Sequence, residues 1–256
     1  MSTDTSPDTI LWKRSHYLDR MTLGGLVRAF FQYPTILTYL ALAAVFIGVF
    51  VSAPAGVLPT LGAIALSIVA YPLVWYVLHR FVLHSTWMYK VPSLAKTWKR
   101  THYDHHQDPN HLEVLFGSLL NTVPTILLAT VPLGYLIGGI GGAAAAAAAG
   151  MLLTVVNEFV HCIQHLAYKP KHPLLVTMKA RHLEHHYHDE TGNFGITSFA
   201  ADKLFGTHYE RPQRKRRSPT VFNLGYTEEV AERYPWVKEL SGGVVATGPT
   251  RKRNAD

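Results

Sequence analysis

The chain has 256 residues, of which 48% are hydrophobic, and a formal net charge of +7 at pH 7. Its single cysteine, Cys162, excludes an intramolecular disulfide framework and a zinc ribbon built on cysteine ligands. The basic residues flank apolar segments, which is typical of a membrane protein whose positive charges face the cytoplasm and anionic lipid headgroups. This distribution argues against nucleic acid as a partner.

The first 33 residues form a polar segment that becomes partly amphipathic in its second half. Residues 1–8 lack the basic region and apolar core of a cleavable signal peptide. From Trp12 to Phe31, apolar and basic side chains alternate irregularly, and two interpretations stay open: a helix along the membrane interface, or a solvated N-terminal helix. Residues 1–33 are therefore predicted to be a cytoplasmic or interfacial segment.

Four apolar segments follow, and they predict four membrane-spanning helices. The first two cover about residues 35–51 and 58–76, and the third covers about 114–140 and contains Pro124 and Pro132. The glycine-rich stretch 138–142 breaks the pattern, and the fourth segment continues through an alanine run to about His165. At about 1.5 Å per residue, these segments suit a hydrocarbon core of ~30 Å, with a few flanking residues added to the first. The alanine run predicts a thin helix face that lets neighbouring helices approach closely.

Charge asymmetry between the connections predicts the orientation of these helices. The connection between the first two segments is uncharged, whereas the second connection and both termini carry the lysines and arginines. The positive-inside rule then puts both termini in the cytoplasm. The predicted fold is all-α: an integral membrane four-helix bundle with a cytoplasmic, histidine-rich helical cap.

Ten histidines form four clusters, which are the strongest functional signal in the sequence. Two clusters are pairs, and two are triads in which one histidine is followed three and four residues later by two more. The members are His79, His84, His102, His105, His106, His161, His165, His182, His185 and His186. Neutral imidazole is the commonest metal ligand, and positions i, i+3 and i+4 share one face of a helix. A lone histidine such as His16 or His172 is usually exposed or hydrogen-bonded, but unliganded triads would bury polar nitrogens without partners. The clusters therefore predict metal binding.

The number of ligands predicts two metal ions rather than one. An ion takes four to six ligands, so ten histidines suit two ions with four or five nitrogens each and an open position. His111 and His188 are spare: each is a ligand, a residue that supports a ligand, or a surface residue. Asn157 and Glu158 lie in the fourth apolar segment, where polar residues are costly and usually functional. They either orient the imidazoles or form hydrogen bonds between helices.

A site of almost only nitrogen ligands beside a membrane indicates activation of dioxygen at iron rather than hydrolysis. The zinc-protease pattern H-E-x-x-H is absent. Zinc remains possible in purified protein, because the ligand type does not exclude it. A non-catalytic membrane metal-binding protein is the alternative from another class, and it would need saturated coordination.

The order His79-x4-His84, His102-x2-His105-His106, His161-x3-His165 and His182-x2-His185-His186 resembles the fatty acid hydroxylase/sterol desaturase superfamily, over about residues 79–207. The stretches 79–84 and 195–198 are similar to the fatty acid/ceramide 2-hydroxylase branch. The resemblance implies a four-helix membrane anchor, a cytoplasmic histidine cap, two iron ions, O2 and hydroxylation of an unactivated C–H bond in a lipid. It also implies an external electron donor, which would be a separate electron-transfer protein because the sequence contains no cytochrome b5-like domain. Sterol or carotenoid hydroxylation or desaturation, known among relatives, remains an alternative to the acyl chain of a lipid or fatty acid.

The C-terminal part is predicted to be a basic tail. Arg211, Arg214, Lys215, Arg216 and Arg217 form a polybasic patch, for which anionic lipid headgroups are the expected partner and solubility is the alternative. The composition of residues 241–256 predicts disorder. The chain is thus divided into residues 1–33, a membrane bundle with the di-metal site over 34–210, and the tail 211–256.

Overall fold

The computed structural model describes residues 16–249, and the regular secondary structure of this part of the chain is helical apart from an isolated bridge between Tyr17 and His111. The expected all-α class is confirmed. The helices are α1 Leu23–Phe30, α2 Pro34–Ser52, α3 Val57–Leu78, α4 Pro92–Trp98, α5 Asp104–Gln107, α6 Leu112–Leu115, α7 Leu119–His165, α8 Pro173–Tyr187, α9 Ala200–Leu204, α10 Glu228–Arg233 and α11 Trp236–Leu240. Expectations for residues 1–15 and 250–256 lie outside the described part.

Three helical stretches are long and apolar enough to cross a membrane. They are Pro34–Ser52, Val57–Lys90, which continues α3 through short turns, and Leu119–His165. Their outer surfaces are strongly apolar: Leu58, Leu120 and Leu136 are each more than 80% exposed. An apolar surface of this extent is unfavourable in water and suits lipid. The chain is therefore a membrane protein, with three such helices where the sequence predicted four spans.

The third of these helices, α7, turns back on itself. Gly138 and Gly139 leave helical geometry, and Gly139 has a φ of +59°, which favours glycine. The arms 119–137 and 140–165 then pack against each other. A Cβ added at Gly134 would lie 2.5 Å from the carbonyl oxygen of Gly142, so the two backbones are in direct contact. The glycine break and the close approach along the alanine run agree with the sequence-based expectation.

The N-terminal segment packs onto the bundle through one face of α1. Leu26 and Phe30 are fully buried, and the Phe30 ring contacts Phe159 of α7 with 5.1 Å between the ring centroids. The opposite face is apolar and exposed, with Val27 at 41% and Phe31 at 49%. Thr22 caps the N-terminus of the helix, because its side chain accepts a hydrogen bond from the backbone N–H of Gly25 at 3.1 Å.

The C-terminal segment is packed rather than free over the part that the structure describes. Tyr226, Val237 and Val245 form a second hydrophobic core with Trp98 and other side chains of residues 88–103. The expectation of disorder is wrong for residues 241–249, where Val245 and Ala246 are buried. Only a short apolar run, 244–246, follows Leu240, and glycines lie on both sides of it, so composition alone did not reveal that Val245 meets an aromatic cluster distant in sequence.

Glu113 connects the N-terminal segment to the cap, which is the helical region around the ten clustered histidines. Its carboxylate accepts hydrogen bonds from the backbone N–H and Nδ1 of His16, from Nε2 of His111 at 2.8 Å, and from the hydroxyl of Tyr33. Partial burial raises the pKa of Glu113, but the hydrogen bonds from His111, Tyr33 and His16 outweigh burial and lower the pKa to about 2.

The Glu113→Gln variant is expected to lose stability in a pH-dependent way. Because the pKa of the folded state lies below the ordinary value, the carboxylate contributes fully above about pH 4.5, and the contribution disappears as the pH falls toward 2. The free energy of unfolding should drop by about 2–3 kcal/mol at neutral pH. Thermal unfolding in detergent should show that the difference in stability between wild type and the variant becomes smaller below pH 4.5. The Glu239→Gln variant, at an exposed position, is the neutral control. A difference in stability that stays constant down to about pH 3 would contradict this role.

Candidate metal centre

A widened helical turn explains the unusual spacing of the first histidine pair. At the end of α3, residues His79–Leu83 form a π turn, and the backbone N–H of His84 donates to the carbonyl oxygen of His79 at 3.0 Å. On a regular α-helix, residues five apart point in different directions, but this i→i+5 bond brings them together, with ring centroids 4.9 Å apart. A second π turn, Lys99–Tyr103, carries His102. Such turns frequently occur at functional sites.

The second histidine pair and the last triad come from α7 and α8, which meet in the cap. The C-terminal arm of α7 ends at His165, and α8 begins with Pro173 at its first position, where proline is favoured. His182, three and four residues before His185 and His186, faces back toward α7. The Nε2 atoms of His165 and His182 lie 2.8 Å apart.

The ten predicted ligands lie together in the structure as two groups of five. Group A contains His79, His84, His102, His106 and His185; group B contains His105, His161, His165, His182 and His186. Within each group, one potential ligand atom from every residue lies within 4.8 Å of the others. Each triad is divided between the two groups, so neither triad points at a single position as its spacing suggested. Nine of the ten side chains are buried, and His84 is partly exposed.

The contacts between the rings suit a cation in each group. In group A, Nε2 of His102 lies 3.0 Å from Nε2 of His79, 2.9 Å from that of His84 and 3.1 Å from that of His106. A neutral imidazole carries one N–H, so four converging nitrogens cannot all be satisfied by hydrogen bonds to one another. Group B has two contacts of the same kind, at 3.1 and 2.8 Å. Facing lone pairs of this kind are favourable only around a positive ion, so the donor sets fit two metal ions.

Backbone carbonyl groups orient three rings of group A. Nδ1 of His79 lies 2.6 Å from the carbonyl oxygen of Phe194, and Nδ1 of His185 lies 2.7 Å from that of Gly192. Nδ1 of His106 lies 2.8 Å from the carbonyl oxygen of Val221. In each case Nδ1 must donate, which leaves the lone pair of Nε2 for a metal. These carbonyl groups could not be found from side-chain motifs.

Burial lowers the pKa of six histidines of groups A and B, which favours their neutral form. It lowers the pKa of His106 to about 3, against a smaller opposing effect of the hydrogen bond to Val221. The pKa values of His102, His105, His182, His185 and His186 also lie well below the ordinary value, mainly because of burial. Neutral imidazole is the form that binds metals, so the site does not have to release protons to accept an ion at pH 7.

Asn157 and Glu158 lie in the C-terminal arm of α7 but form no hydrogen bond to a histidine ring within the described residues. Oδ1 of Asn157 accepts a hydrogen bond from the hydroxyl of Thr197 at 3.3 Å, which ties α7 to the turn after the last triad. Oε2 of Glu158 has no hydrogen-bond partner. Their assignment as groups that orient imidazoles stays a prediction.

His111 and His188 lie outside both groups. His111 pairs with Glu113 and stacks on Tyr17 at 5.0 Å between ring centroids. Nε2 of His188 donates to the carbonyl oxygen of Arg214 at 2.6 Å. Both residues therefore connect segments of the cap.

Asp202 supports the surroundings of group A, although it was not among the residues predicted from the sequence. It is fully buried, and its carboxylate accepts hydrogen bonds from the backbone N–H of Phe194 at 2.9 Å and of Gly195 at 2.8 Å. The hydroxyl of Thr207 donates to it as well, at 2.7 Å. Asp202 thus holds the turn that presents the Phe194 carbonyl oxygen to His79. An aspartate a few residues after a glycine-containing turn was the available signal.

The Asp202→Ala variant is expected to weaken metal binding by group A. Loss of a group that fixes a ligand from behind typically costs about 10- to 100-fold in metal affinity. Competition with a chromogenic chelator measures this affinity, and Lys203→Ala, exposed on the same helix, is the matched control. Wild-type affinity in both variants would exclude a role of Asp202 in positioning His79.

Fold and site together define an all-helical membrane protein with a polyhistidine centre able to hold metal ions. Residues 64–207, more than half of the chain, match the family model described as fatty acid hydroxylase. The chain belongs to the fatty acid hydroxylase family.

Similar proteins carry 2-hydroxylase or hydroxylase names. The dihydroceramide fatty acyl 2-hydroxylase FAH1 of Arabidopsis thaliana is 30% identical over 138 residues, which are 52% of this chain and 54% of that protein. The ceramide very long chain fatty acid hydroxylase SCS7 of Saccharomyces cerevisiae is 29% identical over 145 residues, 54% of this chain and 35% of that protein. The chain thus spans from about a third to about half of the length of these relatives. The resemblance to the 2-hydroxylase branch is confirmed.

A solved structure has a similar fold. "Full length scs7p (only hydroxylase domain visible)" aligns with a TM-score of 0.60 and 24% identity, covering 72% of this chain and 68% of that chain. At this identity the likeness concerns the fold alone.

Proposed function

We propose that the protein is a membrane-bound di-iron monooxygenase that hydroxylates the acyl chain of a lipid or fatty acid. The observation that carries the proposal is the pair of five-histidine groups, in which the Nε2 atoms of eight rings lie 2.8–3.1 Å from that of a neighbouring ring. The reaction inserts one oxygen atom of O2 into a C–H bond and reduces the other to water, which requires two electrons and two protons. Iron bound in these groups would supply the activation of O2.

The protein's own residues hold and isolate the site. All ten histidines of groups A and B are proposed as ligands, and the carbonyl oxygens of Phe194, Gly192 and Val221 keep three imidazoles in the metal-binding tautomer. Burial of nine of the ten rings excludes bulk water, which protects a reactive oxidant from side reactions. The catalytic unit is proposed to be residues 34–210, with the packed C-terminal segment covering the His106 side.

The membrane arrangement supports a lipid substrate. We propose that the two arms of α7 both cross the membrane, which gives four spans with α2 and α3, and that both termini and the metal site face the cytoplasm. A carbon close to the polar end of a lipid can then reach the histidines while the rest of the chain stays in the bilayer. The names of the relatives make ceramides and fatty acids the substrates to test first.

Electrons are proposed to come from a separate electron-transfer protein, as the resemblance to the hydroxylase superfamily implies. The polybasic segment 211–217 is proposed to contact anionic headgroups. Two of its arginines are partly used within the protein: Arg214 pairs with Asp189 at 2.6 Å, and Arg217 lies over the Phe222 ring. Arg211, Lys215 and Arg216 remain exposed for such contacts.

Comparison of lipids from cells with and without the gene tests the function. Wild-type protein should produce hydroxylated acyl chains that are absent with His185→Ala and without the gene. Identical lipid profiles in the three strains would overturn the hydroxylase proposal.

A further inference from the structure

A cavity of about 460 Å³ lies beside α8. Three residues of the helix form one wall of it: Leu183, Glu184 and Tyr187. The three histidines of the same helix belong to groups A and B. At about 100° per residue, the two sets of side chains point to nearly opposite sides of α8. The cavity is therefore separated from the metal centre by the helix, and its size is that of a small-molecule site.

Another part of the cavity wall carries three cations: Arg211, Lys215 and Arg217. All three side chains are exposed. Between residues 16 and 249, none of them forms an ion pair with an acidic side chain. The guanidinium of Arg217 lies 4.7 Å from the centroid of the Phe222 ring, which in turn contacts the ring of Tyr187 with 6.1 Å between the centroids. This cation is thus held at the aromatic side of the cavity.

The acidic group in the wall does not neutralise these cations. Of the described residues that line the cavity, only Glu184 is acidic. Its Oε2 accepts a hydrogen bond from the guanidinium of Arg181 at 2.7 Å, and its Oε1 accepts one from the backbone N–H of Arg211 at 3.2 Å. Because Arg181 already balances the charge of Glu184, the charge that remains at the cavity is positive.

Three cations around one cavity match a compact group that carries more than one negative charge. A phosphate monoester has a charge of about −1.5 to −2 at pH 7 and three strong acceptor oxygens. The planar guanidinium of arginine binds two phosphate oxygens at once, and lysine binds phosphate as a point charge. An organic group attached to the phosphate would pack on Leu183 and Tyr187, which are only partly buried.

We propose that this cavity binds a phosphate monoester. The phosphate lies between Arg211, Lys215 and Arg217, and the organic group contacts the α8 wall. The ligand has two possible sources: a lipid headgroup that ends in a phosphate monoester, in line with the headgroup contact proposed for segment 211–217, or a soluble phosphate ester. Binding requires neither metal nor turnover, so the site stands or falls independently of the hydroxylase function.

Binding of phenyl phosphate to the full-length protein in phosphatidylcholine nanodiscs tests the site. Arg211→Gln and Lys215→Gln should each lower the affinity about 10-fold, as expected for the loss of a hydrogen bond between charged groups. Arg216→Gln is the matched control and should keep the wild-type affinity, because Arg216 is exposed in the same segment but does not line the cavity. Phenol, which lacks the phosphate, should not displace the probe.

The control separates a defined site from general attraction to a basic segment. Equal losses of affinity in all three variants would show attraction by net charge alone and would overturn the inference. Displacement of the probe by phenol, or the absence of saturable binding to the wild type, would overturn it as well.

Nanodiscs of different lipid composition then distinguish the two sources of the ligand. Phosphatidic acid ends in a phosphate monoester, whereas phosphatidylglycerol at matched surface charge contains only a diester. If the site takes a lipid headgroup, phosphatidic acid should exclude phenyl phosphate and phosphatidylglycerol should not. Equal affinity for the probe in the two kinds of disc would assign the site to a soluble ester. Either result supports a phosphate monoester site on the outer side of α8.

Discussion

Replacing His185 or His161 with alanine is expected to remove one of two metal ions from the chain and to abolish turnover. His185 belongs to group A and His161 to group B, so each substitution damages a different set of ligands. Removal of a ligand should cost more than the roughly 10- to 100-fold typical of a supporting residue, so hydroxylated product should fall at least about 100-fold in both variants. Elemental analysis should give about two metal ions per wild-type chain and about one in each variant.

His172→Ala is the matched control, because His172 is exposed and lies just before α8, outside both groups. It should retain both ions and full activity. The double variant should retain none. If His185→Ala and His161→Ala each kept two ions, the assignment of two separate ligand groups would be wrong, whatever the effect on product.

The sequence identified the ten histidines but could not divide them correctly. A triad on a helix face suggests one point of convergence, yet His102 and His106 lie in group A and His105 in group B. Neighbouring residues on a helix differ in direction by about 100°, so His105 and His106 diverge when two sites lie on either side of the helix. The division depends on where the helices that carry the other ligands are placed. Helix placement belongs to the tertiary structure, so it cannot be predicted from the spacing within one helix.

Local geometry also could not be predicted from the sequence where the backbone departs from a regular α-helix. The pair His79 and His84 has no helical period, and only the π turn explains how both rings join group A. Similarly, Phe194, Gly192 and Val221 act through carbonyl oxygens, which every residue has. No choice of side chain marks such a group, so these roles become visible only when the backbone is folded.

The prediction was most successful where a long pattern dictates structure. Apolar segments longer than 18 residues require helices in a membrane, because every backbone N–H and carbonyl group must be satisfied within the segment. This physical constraint explains why the all-helical class and the membrane helices were predictable. The short C-terminal elements have no such constraint. Their packing arises from a few contacts, such as the hydrogen bond from Trp236 to the carbonyl oxygen of Tyr89 at 2.6 Å.

Gly142→Ala is expected to destabilise the helical hairpin of α7, although it is the smallest possible side-chain addition. The new Cβ would lie 2.3 Å from the carbonyl oxygen of Gly134, and backbone on both sides leaves nothing that can rotate away. Overpacking of this kind costs about 1–3 kcal/mol, and separation of the arms would also move the helix that ends in His161 and His165. The thermal midpoint in detergent and the metal content of group B should therefore both fall.

Gly48→Ala provides the contrast, because a Cβ at this position of α2 meets nothing within 4 Å. Alanine has a higher helix propensity than glycine by up to about 1 kcal/mol, so this variant should be neutral or slightly more stable. The two substitutions add the same methyl group to a membrane helix and should change the midpoint in different directions. Equal shifts would mean that the arms of α7 do not touch at Gly134 and Gly142. The close contact makes the positions of His161 and His165 depend on Gly142, which lies 19 and 23 residues before them. A rigid helical arm, which rises ~1.5 Å per residue, transmits a displacement at its glycine end to its histidine end.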